Sequence, residues 1–412
     1  MNLDTKLFYQ CVRYELVTDV DYDDHYWETM FKDLPQDSKF VMKLSQRMGS
    51  DTFAGRNEGV WSVPWPMARI PDFMMPEYDP DFKLTFSEVM DRRALEIKHR
   101  INKGERFIVM WSGGMDSTAI MVSLIRNLSA EEQKSIAVNC SVHSLLENHD
   151  FYSKFIHGKF KVFDSSVTRY DSLILDDWVP ITGDEGDSIF GTHMGLQMYH
   201  TYDNLIRDFS PDVKSNLLAI KNKMSDGDIH FSNYKEILIK YLAGKAQGIE
   251  FGRQLYSKIV HNINTQKVPV HSLHDFFWWI IFNMKYLHCA FRCSMFYNNS
   301  IPVRQALDKS VNWFNGSEIQ QWSMVNNNVG TKIRDSIKSY KFVQRQYIHD
   351  LTKNDWQLHF KTKLESLNNL IQYGDIHPMA IDENYNKIYR VPEVEGYYKH
   401  HLGNYKIDWP LE

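Results

Sequence analysis

The chain has 412 residues, 43% of them hydrophobic and 24% charged, values ordinary for folded domains; a disordered or fibrous chain is excluded, and two or three packed units are expected. A net charge of −5 gives no long-range attraction for a polyanion and argues against nucleic acid as a partner. The four cysteines, Cys11, Cys140, Cys289 and Cys293, include no Cys-x-x-Cys pair, so neither a disulfide framework nor a thiolate zinc site is expected.

The chain starts Met1-Asn2-Leu3-Asp4-Thr5-Lys6, without the basic start and apolar run of a signal peptide. Its longest apolar run, Phe276-Phe277-Trp278-Trp279-Ile280-Ile281-Phe282, is too short to span a bilayer. A cytoplasmic protein with no membrane contact is expected, and the run reads as a buried helix. Residues 1–85 carry Pro64, Pro66 and Pro76, which break regular structure, and read as an irregular N-terminal region.

From Phe86 onward the pattern sharpens. Ser87 is placed to cap a helix carrying Val89, Met90, Leu95, Ile97 and Ile101, and Gly104 to end it. Phe107-Ile108-Val109-Met110 reads as a strand buried on both faces, followed by a glycine-rich turn. Ile120, Met121, Leu124, Ile125 and Leu128 then recur at helical spacing. Ile136 to Cys140 and Phe160 to Phe163 read as further strands. Alternating strands and helices predict an α/β core over residues 86–195, built on a doubly wound parallel sheet. Beyond it, amphipathic stretches at 203–224, 233–263, 274–297 and 332–351 predict a mainly helical region over 196–370, and residues 371–412 read as an irregular tail.

The turn Ser112-Gly113-Gly114-Met115-Asp116-Ser117 carries the chemistry. Gly113 and Gly114 admit backbone torsions closed to other residues and let main-chain N–H groups approach a ligand. Ser112 and Ser117 add hydroxyl donors, and the following helix aims its positive end into the same cradle, which suits a phosphate chain. Asp116 would repel phosphate unless a cation intervened, which points to Mg²⁺. The Walker pattern Gly-x4-Gly-Lys-Ser/Thr is absent.

Ser112 to Ser117 resembles the signature of the pyrophosphate-loop ATP pyrophosphatases, with their adenine nucleotide alpha hydrolase-like fold. The resemblance implies that ATP is cleaved between its α and β phosphates. Ile181-Thr182-Gly183-Asp184-Glu185-Gly186-Asp187-Ser188-Ile189-Phe190-Gly191 narrows it: the segment is similar to Ser-Gly-Glu-Gly-x-Asp-Glu-x-Phe-Gly in the synthetase domain of the asparagine synthetase family. This second resemblance puts Gly183 at the nucleotide, Asp187 on the metal-binding Asp and Asp184 where the family has a catalytic Glu. Glu185 takes that role if the register slips. Glu185 and Ser188 depart from the family's Gly and acid. Arg292-Cys293-Ser294-Met295, Ile301-Pro302-Val303 and Leu307-Asp308 extend the likeness, and Thr352-Lys353-Asn354 sits where the family has a lysine that neutralises the adenylate, making Lys353 the expected cation.

What the resemblance implies is an AMP-forming carbon–nitrogen ligase that uses ATP and Mg²⁺, joining a small-molecule carboxylate to ammonia or an amine. Asn2 is not the nucleophilic Cys of a glutaminase domain, and 85 residues are too few for one, so a separate glutaminase is the expected partner if glutamine supplies the nitrogen. Two other readings stay open: adenylation of a nucleobase or tRNA carbonyl, and a nucleotide-binding protein without catalysis.

Overall fold

Thr85, rather than Ser87, opens the first helix. Its hydroxyl accepts from the Glu88 backbone while the Glu88 carboxylate accepts from the Thr85 N–H, a reciprocal capping box. In the computed structural model, the structure describes residues 56, 74–165, 168, 170–191, 230–243, 248–286, 306, 308–326, 341–355, 358, 361–363, 379–381 and 387–389. The expected helix at 203–224 and the motif residues Arg292, Cys293, Ser294 and Met295 lie outside them. The chain folds as two units interleaved along the sequence. One takes Met1–Lys83, Asp184–Phe296 and Ser317–Ile337; the other takes Leu84–Gly183, Tyr297–Gly316 and Lys338–Glu412.

The second of these, the sheet unit, is built on five parallel strands: β1 (Arg106–Met110), β2 (Ile136–Cys140), β3 (Lys161–Asp164), β4 (Trp178–Thr182) and β5 (Val311–Asn312). Their order is β3-β2-β1-β4-β5, so strand order runs outward from β1 to β3 and resumes on the other side of β1 with β4 and β5. Phe107, Ile108 and Val109 are wholly buried, as an apolar run in a central parallel strand requires. Ile108, Ala137, Trp178 and Leu173 form one core cluster, packed by Met110 and Phe163, so helix Tyr170–Leu175 covers this part of the sheet.

Strand β4 escaped the sequence pattern because it contains Pro180, which cannot donate to a ladder. The exception is tolerated: β5 spans two residues and pairs only with Ile181 and Thr182, leaving Pro180 outside that ladder. A separate three-stranded antiparallel sheet joins Lys361–Lys363, Met379–Ile381 and Lys387–Tyr389, so two strands fall where an irregular tail was expected.

Helices α1 (Phe86–Ile101) and α2 (Met115–Asn127) flank β1 in sequence. Along α1 the buried positions are Phe86, Val89, Met90, Ala94, Ile97 and Ile101, whereas Leu95, expected on the same face, is 49% exposed. One residue is about 100° of helical rotation, which carries Leu95 off the stripe. Asp91 ties three helices together. Its Oδ1 accepts from Tyr347 Oη at 2.6 Å and Asn127 Nδ2 at 2.9 Å, and its Oδ2 lies 3.5 Å from the Arg126 guanidinium. Burial and the bond to Asp91 push the Tyr347 phenol far above its usual range. The helix Phe342–Thr352 is thereby fixed against α1 and α2, and its first turn bears on the site described below.

In the other unit, Leu273–Trp279 opens with a Ser272–Asp275 capping box and continues as a π-helix, Ile280–Lys285. The seven apolar residues 276–282 are all buried, as expected of a helix apolar on every side. Burial alone would lift the Asp275 carboxyl, but the His274 ring and the N–H groups of His271 and Ser272 hold it below its ordinary value. Helix Gly186–Phe190 is closed by Gly191 at φ 66°, with Trp278 so near that a β-carbon would sit 2.5 Å from its Cα. Trp278 Nε1 donates to Ser323 Oγ at 3.0 Å and to Ile189 O at 3.2 Å. Among the described residues no helix is long and apolar enough to cross a membrane.

Replacing Tyr347 with Phe removes one hydrogen bond to a part-buried carboxylate and leaves the rest of the packing in place. The expected loss is about 1–2 kcal/mol. It is read as a lower urea midpoint with an unchanged slope; no shift in midpoint would remove Asp91 from its place as the tie between helices.

Candidate functional site

At the carboxyl end of β1, Trp111 N donates to Asn139 O at 2.9 Å and carries the sheet ladder one residue further. The chain then turns sharply. Ser112 N donates to Ser117 Oγ at 3.1 Å, the two hydroxyls lie 3.2 Å apart, and Gly114 N donates to Ser112 Oγ at 3.3 Å. Thr118 Oγ1 reaches Gly113 O at 3.4 Å and receives Trp111 Nε1 at 3.2 Å. The serines expected as ligand donors therefore brace the turn as well. Gly114 is the N-cap of α2 and supplies no side-chain cap, so the first N–H groups of the helix have no intrahelical partner by position.

Gly113 has φ +78° and is covered by the short helix Val142–Glu147 that follows β2. A β-carbon there would lie 2.4 Å from Ser144 O and 3.0 Å from Glu147 Cβ, and one on Gly114 would lie 3.4 Å from Glu147 Oε1. The glycines thus answer a neighbouring backbone on one side. Glu147, an acid against the loop, carries no signal in the sequence, because it belongs to no motif and its helix is six residues long.

Asp116 stands in the first turn of α2 with its side chain about a quarter exposed. The cation it needs comes from far along the chain. Lys341 Nζ donates to Oδ1 at 2.7 Å and to Oδ2 at 2.8 Å, and Gln344 Nε2 donates to Oδ1 at 2.9 Å. Lys341 is 1% exposed and adopts the left-handed conformation, φ 55°, immediately before helix Phe342–Thr352. A non-glycine residue in that region persists only where its surroundings enforce it. Gln344 is wholly buried, and among the described residues its Oε1 has no hydrogen-bond partner.

Lys353, the expected cation, is exposed at the other end of the same helix, where it caps the C-terminus at φ 53°. Lys341 carries no comparable signal in the sequence. Periodicity over 332–351 made Lys341 an interior helical position, a common place for a solvated lysine, whereas the described helix begins one residue after it.

Gly183, at the end of β4, backs onto the loop within the sheet unit. A β-carbon there would meet Ile120 Cδ1 at 2.9 Å, Phe314 Cε2 at 3.5 Å and the Asp116 carbonyl carbon at 3.6 Å. Its neighbour Thr182 donates to Asn312 Oδ1 at 2.9 Å in β5. From Asp184 onward the acidic motif belongs to the other unit. There Asp184 and Asp187 are partly exposed, while Glu185 and Ser188 are fully buried. Glu185 O receives the N–H of Ser188 at 2.9 Å and of Ile189 at 3.1 Å, which starts the helix carrying Asp187.

The buried Arg56 lies in the same unit as Glu185 and within its electrostatic reach. Its guanidinium stacks 3.7 Å over the Tyr286 ring and donates to Phe282 O, Met74 O and Gln320 Oε1. Burial pulls its pKa down to about 10, against the opposing effect of Tyr286 and Glu185.

The donors around the loop are N–H groups, hydroxyls and a carboxylate, which suit phosphate oxygens and a hard divalent ion better than a soft metal. Among the described residues no group of three or more His, Cys, Asp and Glu is arranged to hold a metal. Burial, with Asp164 nearby, pushes the Cys140 thiol up to about 12, which removes it from nucleophilic chemistry. No family model, no curated protein and no solved structure matches the chain.

The two glycines give a test of this packing. Gly113→Ala faces both a left-handed torsion and an immovable carbonyl, and is expected to cost about 3 kcal/mol or more. Gly183→Ala meets chiefly the movable end of Ile120, and is expected to cost less than about 1.5 kcal/mol. Equal losses in denaturant unfolding would contradict the covering of Gly113 by Ser144.

Proposed function

We propose that this protein is an ATP-dependent, AMP-forming ligase of the asparagine synthetase type, built on a doubly wound, adenine nucleotide alpha hydrolase-like sheet. One observation carries the reading: a strand, a Ser-Gly-Gly-x-Asp-Ser turn and a helix N-terminus stand beside the reversal of strand order. Ligands of open α/β sheets bind at the carboxyl ends of strands at such a reversal. A phosphate chain there meets helix N–H groups and a positive dipole end.

In this reading Ser112, Gly113, Gly114 and Ser117 form the pyrophosphate cradle, and Gly183, placed at the nucleotide by the family resemblance, lets the end of β4 pack close behind the loop. The family resemblance assigns Asp116 in the sheet unit, and Asp187 in the other, each as a residue that would bind Mg²⁺, and the ion would supply charge neutralisation for the phosphates. A carboxylate attacks the α-phosphorus in line, pyrophosphate leaves, and ammonia or an amine then displaces AMP from the acyl-adenylate. Lys341, rather than Lys353, supplies the fixed positive charge beside the loop, where negative charge accumulates in the transition state. Asp184, partly exposed, suits the positioning or deprotonation of the amine; the enclosed Glu185 suits holding the motif in shape. Free ammonia, an amine substrate or a separate glutaminase provides the nitrogen.

The test uses ATP carrying label in the α-phosphate, Mg²⁺ and a panel of carboxylates with ammonia. Release of AMP and pyrophosphate is expected, and Asp116→Ala is expected to slow it by at least about a hundredfold. Release of ADP, or an Asp116→Ala variant as active as the parent, would contradict the reading.

A further inference from the structure

Gln344 stands at the loop in surroundings that do not favour it. Its side chain is wholly buried, its Nε2 donates to Asp116 Oδ1 at 2.9 Å, and among the described residues its Oε1 meets no donor. A desolvated carbonyl oxygen without a donor works against folding, and an apolar side chain of the same length would avoid that fault. Charge balance does not explain the amide either. The Lys341 ammonium already donates to both oxygens of Asp116, at 2.7 and 2.8 Å, so the carboxylate has its counter-charge without a further donor.

What the further donor adds is direction. An ammonium is a point charge on a flexible stem, and a carboxylate can turn about its own bond while staying in contact with it. A planar amide fixed at its root resists that turn. Gln344 lies in the first turn of helix Phe342–Thr352, three residues before Tyr347, whose hydroxyl donates to Asp91 Oδ1 at 2.6 Å. Residues three apart lie on one face of a helix, so the bond that anchors the helix also sets where the amide stands. Being neutral, the amide orients Asp116 without adding a second positive charge to the Lys341–Asp116 pair. Where a local rule is broken with no structural gain, function is the expected reason.

Resting on the reading of the loop as an ATP site in which Asp116 works, we propose that Gln344 is a positioning residue that holds the Asp116 carboxylate in its working orientation. The bare Oε1 is what that orientation costs the fold. Gln344 acts through Asp116 and needs no contact with the ligand.

Two variants test this, both read by release of AMP and pyrophosphate from ATP with Mg²⁺ and the carboxylate panel described above. Gln344→Met keeps the length and removes both polar atoms; turnover is expected to fall at least about tenfold, with a urea midpoint no lower than the parent's. Gln344→Glu reads orientation through protonation. The introduced carboxyl faces Asp116 and the Lys341 ammonium; protonated, its O–H donates to Asp116 as the amide does, and ionised it repels. Burial and the Asp116 charge raise its pKa, and the ammonium opposes them, so activity relative to the parent is expected to rise at least about fivefold from about pH 8 to about pH 6. A Met variant as active as the parent overturns the role, and one that loses midpoint and turnover together assigns Gln344 to packing and overturns it too. If the Met variant does not fold, the Glu variant decides: a pH profile parallel to the parent's overturns the role. In each of these cases the ATP reading survives, because the parent turns over; a parent that releases no AMP and pyrophosphate overturns that reading and this role with it.

Discussion

The carboxylate of Asp116, only about a quarter exposed, calls for a positive charge beside it, and the rest of this site is arranged around that constraint. The charge comes from Lys341, held within 2.8 Å of both oxygens of Asp116. To put it there the chain accepts an uncommon backbone conformation at a non-glycine residue and buries an ammonium almost completely. Either feature alone would be costly. Together they follow from the helix Phe342–Thr352 being anchored on α1 and α2 through Tyr347, Asp91, Asn127 and Arg126, well away from the loop itself. The remote hydrogen bonds decide where the local charge can sit.

The same logic applies to the acidic motif in the other unit. Glu185 is buried completely and within the electrostatic reach of Arg56, which is itself enclosed by aromatic rings and carbonyls. Asp184 and Asp187 keep partial access to solvent. Three neighbouring acids in one short segment thus differ in environment: one is enclosed and two keep contact with solvent.

Much of the sheet unit was legible from the sequence because its signals are local. The apolar runs of β1 and β2, the glycine turn and the 3.6-residue stripe of α2 each lie within about fifteen consecutive residues. β4 was hidden by Pro180, and β5 is too short to carry a period. Lys341 was hidden for a different reason: its partner is 225 residues away, and what makes it special is a backbone torsion and a buried environment, neither of which leaves a mark on its neighbours. Glu147 and Arg56 belong to the same class. The loop was legible and its charge balance was not, since the first is a property of adjacent residues and the second of distant ones.

The way the two units share the chain has a practical consequence. Each is assembled from three separate stretches, and one junction falls between Gly183 and Asp184, inside a single short motif. No contiguous fragment contains one unit whole without part of the other. Limited digestion or terminal trimming therefore cannot deliver the sheet unit by itself; isolating it requires splicing distant segments together, and a ribosome finishes neither unit before Ile337 has been added.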